Sequence, residues 1–281
     1  MTSKVFLLYA ETQIHAGRGA EVGIVDLPIQ RERTTRFPII QGIKGALRAN
    51  IKDEELKVGK EKIFGSEPSD EGTLPGRLAF SEAKILLFPV RNPEQLFVWV
   101  TCPLVLIRFL KNFNSKSALN LIENIEKNSQ LDDKTALTTN ERETIWLEEI
   151  RLKAQKAEFL SMFGGKISES IVTTDYIKEK LKKDLVVVSD SMFSRIVETM
   201  TEVVPRIRIS EKGVVETGAL WYEEYLPQDT IMYFVVRETT YSDGSELQTL
   251  EEVLNGRIIS VGGKETVGKG LAMVSEVTFN D

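Results

Sequence analysis

Strands open and close this chain and helices fall at fixed points between them, an order that limits the fold more than any other feature of the sequence. Residues 4–10 (KVFLLYA) are an apolar run of strand length, and residues 11–37 that follow show no clear period. Residues 42–51 read as a helix, with Ile43, Ala46, Leu47 and Ile51 along one face. Lys44 and Arg48, four apart, lie side by side on a neighbouring face. Residues 78–89 and 96–101 read as strands joined by a turn around Arg91-Asn92-Pro93. Pro103 then opens a helix over 104–113, in the first turn, where its missing N–H is harmless.

Residues 114–163 read as charged and helical, with apolar positions at Ile145, Trp146, Ile150, Leu152 and Ala157 and a break at Gly164-Gly165. A helix over 177–183 and a short strand over 185–188 follow, and Ser189 can cap a helix over 190–200. Residues 203–209 and 230–237 have strand patterns. A short helix at 250–254, a strand at 257–261, a glycine loop and a last strand over 271–279 complete the chain. The two ends together give strand–helix–strand–strand–helix and then strands. This predicts an α+β sandwich of ferredoxin-like (RRM-like) type with inserted lobes.

At 281 residues with 42% apolar, the chain can bury one large core or two fused ones. One cysteine, Cys102, excludes an internal disulfide framework and a cysteine zinc cluster. No stretch approaches the roughly 18 continuous apolar residues of a membrane span, and the start lacks the pattern of a signal peptide. The expectation is a cytoplasmic protein with no membrane contact.

The net charge of −6 is unusual for a free nucleic-acid binder, so any phosphate-binding surface must be local. Between residues 27 and 50 stand five bases, Arg31, Arg33, Arg36, Lys44 and Arg48, against one acid, Glu32. The cluster flanks a helix start, whose unpaired N–H groups favour anions; a solvated loop with a charged helix face is the plainer alternative.

The second stretch, Gly262-Gly263-Lys264-Glu265-Thr266-Val267-Gly268-Lys269-Gly270, matches a nucleotide-hydrolase phosphate loop as far as Lys269. The next residue must be Ser or Thr to hold magnesium and is Gly270, and a strand follows where a helix should. A nucleotide hydrolase is therefore excluded. What remains is a backbone able to approach phosphates closely beside Lys264 and Lys269, or a glycine-rich loop with no ligand.

His15, the only histidine, eliminates mechanisms that need a histidine pair. Asp26 reads locally as a turn-forming loop aspartate. In Gly218-Ala219-Leu220-Trp221-Tyr222-Glu223-Glu224-Tyr225, an aromatic could stack on a base, and Glu223 or Glu224 could move a proton or hold a metal. Packing and a solvated acidic face are the alternatives.

HAGRG at 15–19, GIVDLPIQRE at 23–32, FPII at 37–40 with KGALR at 44–48, IFG at 63–65, ILLFPVRN with VTCP after it, GALWYEEYLP at 218–227 and VGGKETVGKGL at 261–271 occur in the order of one family. Together they resemble the RAMP-superfamily backbone subunit of the type III-B CRISPR (Cmr) effector complex. The resemblance spans nearly the whole chain. GIVDLPIQRE with GALWYEEYLP is its specific part, whereas the glycine loop marks only the superfamily.

The resemblance implies a palm from 1–113 and 230–281, a mainly helical insertion over 114–200, and a thumb hairpin within 201–229. It implies copies of the chain stacked in a helical row along a guide (CRISPR) RNA, with other Cmr subunits. Each thumb would displace one nucleotide of the guide–target duplex, so that the target RNA is cut at regular intervals. Asp26 would be the catalytic residue and a ligand of Mg²⁺ or Mn²⁺, with His15 and Glu224 as auxiliary candidates. Arg18, Arg31, Arg36, Lys44, Arg48, Gly262, Gly263, Lys264, Gly268, Lys269 and Gly270 would contact RNA. A non-catalytic RNA-binding scaffold of the same architecture is the alternative. The serine-rich run usual before KGALR is absent, leaving Gly42 as a poorer helix cap.

Overall fold

In the computed structural model, which describes residues 2–20, 23, 25–67, 73–209 and 215–279, the first apolar run becomes strand β1 (Ser3–Ala10). Residues 5–10 are all buried, as a run without alternation should be when both sheet faces are covered. An irregular segment leads to β2 (Ile39–Ile40) and helix α1 (Ile43–Asn50), which buries Ile43 and Leu47 and turns Lys44 outward. Gly42 caps α1 without a side-chain hydrogen bond. Then come α2 (Lys60–Phe64), β3 (Leu78–Phe80), β4 (Ala83–Asn92), β5 (Leu96–Thr101) and α3 (Pro103–Leu110), with proline in the first turn of α3 as expected.

The next stretch corrects the expectation. After α4 (Lys116–Lys127), the supposed helical region holds three strands, β6 (Thr135–Thr138), β7 (Thr144–Leu147) and β8 (Ile150–Lys156). Ile145 and Leu147 are buried on one strand and Leu152 and Ala154 on another, a period of two rather than 3.6. Gly164-Gly165 is not a break but lies inside α5 (Glu158–Ser170). A Cβ on Gly164 would stand 2.9 Å from Leu185 Cδ1 and 3.3 Å from the Leu181 carbonyl, so glycine permits a close approach there. The chain continues through α6 (Asp175–Lys183), β9 (Leu185–Val187) and α7 (Asp190–Thr199), where the Ser189 hydroxyl accepts the Met192 N–H at 3.1 Å. Residues 114–200 thus mix four helices with four strands.

A hairpin of β10 (Glu202–Ile209) and β11 (Val215–Tyr225) projects as its own two-stranded sheet. Its tip, 210–214, and Ile24 of the GIVDLPIQRE motif lie outside the described residues. The fold closes with β12 (Ile231–Glu238), α8 (Ser245–Leu254), β13 (Ile258–Ser260) and β14 (Leu271–Val277).

The other twelve strands form one mixed sheet in the order β13-β14-β1-β12-β4-β5-β9-β6-β8-β7, with β2 on β4 and β3 on β12. β1 runs antiparallel to both β12 and β14, and β12 antiparallel to β4. Phe6 and Phe234 stack across β1 and β12 at 5.3 Å. Tyr233, on the opposite face of β12, meets Phe109 of α3 at 5.0 Å, and Phe109 also touches Phe163 and Phe279. Each such buried ring contributes about 2 kcal/mol of transfer free energy. Among the described residues no helix is long and apolar enough to cross a membrane.

Candidate functional site

The strand β11 organises the site because its residues alternate between two sides. Its partner is β10, and Tyr222 stands opposite Pro205. Tyr222 turns its own N–H and C=O away from β10. The N–H is accepted by the Asp26 carboxylate at 2.7 Å, and the C=O accepts the Leu27 N–H at 3.1 Å. Leu27 then accepts the Glu224 N–H at 3.0 Å, so residues 26–27 lie along β11 as a short parallel strand. Pro205, which has no N–H, is tolerated because this pair needs no bond between its two strands. Asp26 is half-buried at the root of the hairpin.

Glu224 is 6% exposed and faces the Asp26 segment. Its carboxylate accepts the Ile29 N–H at 3.0 Å, the Thr201 hydroxyl at 2.7 Å and the Arg31 guanidinium. Arg31 also donates to the carbonyls of Arg36 at 3.0 Å and Val197 at 2.8 Å. Its side chain is 4% exposed, too enclosed to meet a phosphate without leaving these partners. Glu224 and Arg31 therefore pin the Asp26 segment to the hairpin root.

Glu223, one residue earlier, faces the glycine loop, and its side chain is 1% exposed. It accepts Lys264 Nζ at 2.6 Å, Trp221 Nε1 at 2.8 Å, Arg206 Nε at 3.2 Å and the Tyr225 hydroxyl. Burial works against its charge, but the bonds from Lys264, Tyr225 and Trp221 outweigh it and hold the carboxyl at about 2. Burial pushes the Tyr225 phenol up, keeping it a neutral donor.

His15 bridges the two sides. Its Nδ1 lies 2.7 Å from the Glu224 carbonyl, which can only accept, so Nδ1 carries the proton. Its own carbonyl accepts the Gly263 N–H at 2.8 Å, and its ring lies 5.4 Å from that of Tyr225. The glycine loop packs on this backbone. Gly262, with φ +76°, would put a Cβ 2.4 Å from the His15 carbonyl oxygen, and Gly270, with φ +79°, one 2.3 Å from that of Val261. Lys269 bonds Gln13 and sits 5.5 Å over the Tyr225 ring.

Asp26, His15, Glu224, Gly262, Gly263, Lys264, Lys269 and Gly270 thus gather around the root of the hairpin. Gly268, with φ +76°, is exposed at the loop's tip. Arg18 is exposed on the segment whose backbone N–H bonds Pro28 at 3.2 Å. Arg36 forms an exposed pair with Glu198 at 3.1 Å. Lys44 is exposed on α1, and Arg48 on the same helix bonds the Gly65 carbonyl at 3.0 Å and lies 3.6 Å from Glu67. The sequence did not point to Arg206, Thr201 or Gln13, and it left Glu223 and Glu224 as interchangeable candidates, with only Glu224 carried forward by the resemblance. The period-two spacing of Glu223 and Tyr225 was the available signal.

Known proteins resemble the chain over nearly its whole length. A family model described as the RAMP superfamily matches residues 7–273. The CRISPR system Cmr endoribonuclease Cmr4 of Pyrococcus furiosus is 40% identical, with 97% of this chain and 96% of the relative covered. The CRISPR system CMR subunit Cmr4 of Saccharolobus solfataricus is 28% identical over 95% and 94%. A crystal structure of oligomeric Cmr4 from Pyrococcus furiosus superimposes with a TM-score of 0.70 at 31% identity, covering 99% of this chain and 100% of that one. A chain of the type III-B Cmr-beta complex bound to cognate target RNA gives 0.77 at 25% identity, over 98% and 97%. The chain belongs to the RAMP superfamily and, within it, to the family of Cmr4 subunits.

Proposed function

We propose that this chain is the guide-RNA-binding backbone subunit of a type III-B CRISPR RNA-targeting complex and its endoribonuclease, cutting bound target RNA at regular intervals in the cytoplasm. The observation that carries the reading is Asp26 held by its own carboxylate on the hairpin strand at Tyr222. A group so placed moves with the hairpin that would displace a nucleotide. The 40% identical relative named an endoribonuclease and the neighbours in target-bound and oligomeric structures support the activity and its partners: guide RNA, target RNA, further copies and other Cmr subunits. The order β14-β1-β12-β4, with α1 and α8 on the connections, supports a ferredoxin-like palm. On that basis 1–113 and 230–281 are the palm, 114–200 the insertion and 201–229 the thumb.

RNA brings its own nucleophile. The 2′-hydroxyl oxygen attacks the adjacent phosphorus, the bond to the 5′-oxygen breaks, and that oxygen takes a proton from water. Asp26 accepts the 2′-hydroxyl proton and holds the splayed nucleotide in line. Glu224, Arg31 and Thr201 act through Asp26 as positioning residues, and His15 ties this segment to the glycine loop. Among the described residues no three His, Cys, Asp or Glu side chains gather as a metal-holding group. Asp26 is the side chain that would hold Mg²⁺ or Mn²⁺, since Mg²⁺ is commonly bound through one or two carboxylates. Bound there, the ion would supply stabilisation of the phosphorane charge.

The test is target cleavage by the reconstituted complex, with chelator added and Mg²⁺ or Mn²⁺ then restored. Evenly spaced cuts that stop and return, with RNA binding unchanged, support the reading. Cuts that persist in chelator overturn its metal dependence, and a complex that binds target without cutting leaves the scaffold role.

A further inference from the structure

A groove of about 1100 Å³ lies away from the glycine loop, on the sheet face beside α3. It exceeds the roughly 300–1,000 Å³ typical of small-molecule pockets and suits an elongated ligand. Arg31, Arg33, Lys84, Arg108, Lys111 and Arg237 line it, against only Glu32 and Glu82 among acids, in a chain of net charge −6. Arg31 is enclosed by Glu224, Arg108 holds Glu32 at 2.9 Å, and Lys84 lies 3.6 Å from Glu82. Arg33, Lys111 and Arg237 are exposed, and no ion pair joins them to another described residue. Exposed cations without a counter-charge on one rim mark a site for an anion that is not part of the chain.

We infer that this groove is a second track for the phosphate backbone of RNA, separate from the α1 and glycine-loop surface. The inference rests on the RNA-binding reading above and adds a path to it. Two observations favour RNA over an acidic protein surface. The groove begins where the Asp26 segment ends, because Arg31 forms its inner wall and shares Glu224 with Ile29. Ser3, Thr34, Gln41 and Asn112 line it beside the buried or half-buried Ile39, Phe80, Tyr233 and Val235, and none of the large apolar side chains exposed among the described residues borders it. Hydroxyls, amides and cations contact phosphates, whereas protein interfaces have apolar, lysine-poor centres.

The experiment is fluorescence anisotropy of the full chain with labelled single-stranded RNA at several salt concentrations. A variant carrying Arg33→Gln, Lys111→Gln and Arg237→Gln changes only exposed side chains. It is expected to lose about 2 from the slope of log K against log salt, since each phosphate contact contributes about 0.7 on a single strand. Glu82→Gln is expected to tighten binding several-fold, a gain that misfolding does not imitate. A parallel variant, Lys44→Gln with Lys269→Gln, tests the surface assigned above. If only that second variant weakens binding, the groove proposal is overturned and the RNA-binding reading stands. If neither variant changes affinity or slope, both fall. If the triple variant keeps its slope but loses self-association in sedimentation, the groove is a protein contact and the proposal is overturned.

Discussion

The Asp26 carboxylate accepts the backbone N–H of Tyr222 at 2.7 Å, and the next residue, Leu27, bonds the Tyr222 carbonyl at 3.1 Å. Both polar groups of one hairpin residue are thereby committed to the segment that carries the candidate catalytic carboxylate. Any tilt of the hairpin carries Asp26 with it. The position is set by a strand ladder rather than by a loose loop, and that rigidity favours chemistry that depends on in-line geometry.

Glu223 gives the site a pH signature. Its folded-state pKa of about 2 lies below the ordinary 4.5, so its stabilising contribution is full above 4.5 and is lost as pH falls towards 2. Glu223→Gln should cost roughly 2 kcal/mol at neutral pH, from loss of charge-assisted hydrogen bonds to Lys264 and Arg206. In thermal melts the gap between wild type and variant should narrow between pH 4.5 and 2. A gap that stays constant over that range contradicts the assignment.

Gly17 and His15 form a testable pair. A Cβ on Gly17 would stand 2.7 Å from His15 Nε2, closer than real Cβ contacts allow. Gly17→Ala should therefore destabilise the chain by about 1–3 kcal/mol, the range for overpacking. In a His15→Ala background the same change should cost almost nothing. A double-mutant cycle of unfolding free energies reads the coupling directly, and simple additivity would show that His15 does not occupy this position.

Two glycines of the terminal loop should separate cleanly. Gly270 and Gly268 have nearly the same φ, +79° and +76°, but a Cβ meets the Val261 carbonyl oxygen at 2.3 Å at the first and nothing within 4 Å at the second. Gly268→Ala should cost only the backbone term, about 1 kcal/mol. Gly270→Ala should cost that and a steric clash, and so have the lower Tm. Equal melting temperatures would contradict the packing described for this loop.

Much of the fold was legible in local pattern. The helix expected over 42–51 is α1, the Ser189 cap forms on Met192, and the strand after the glycine loop is β14. The strands β7 and β8 were not, because the apolar residues of 144–156 are interleaved with charged ones, so that helix and strand periods both fit. Gly164 was misleading for a different reason, since its value lies in a contact with Leu185 on another element. In the site, charge was legible and pairing was not. Arg31 looked like a phosphate ligand because nothing local shows that Glu224, 193 residues away, takes its charge. Glu223 and Glu224 are adjacent and chemically alike, and only the pleat of β11 sends one to Lys264 and the other to Arg31.

The central claim is tested most directly by target-RNA cleavage in the reconstituted complex carrying Asp26→Asn, with guide binding measured in parallel. Asparagine keeps the shape and can still accept the Tyr222 N–H, but it cannot take a proton as a carboxylate does. The account predicts that regularly spaced cleavage falls by at least about 100-fold, while assembly and guide affinity stay at wild-type levels. Unchanged cleavage at the same spacing would contradict it and leave the chain as the scaffold on which another group cuts.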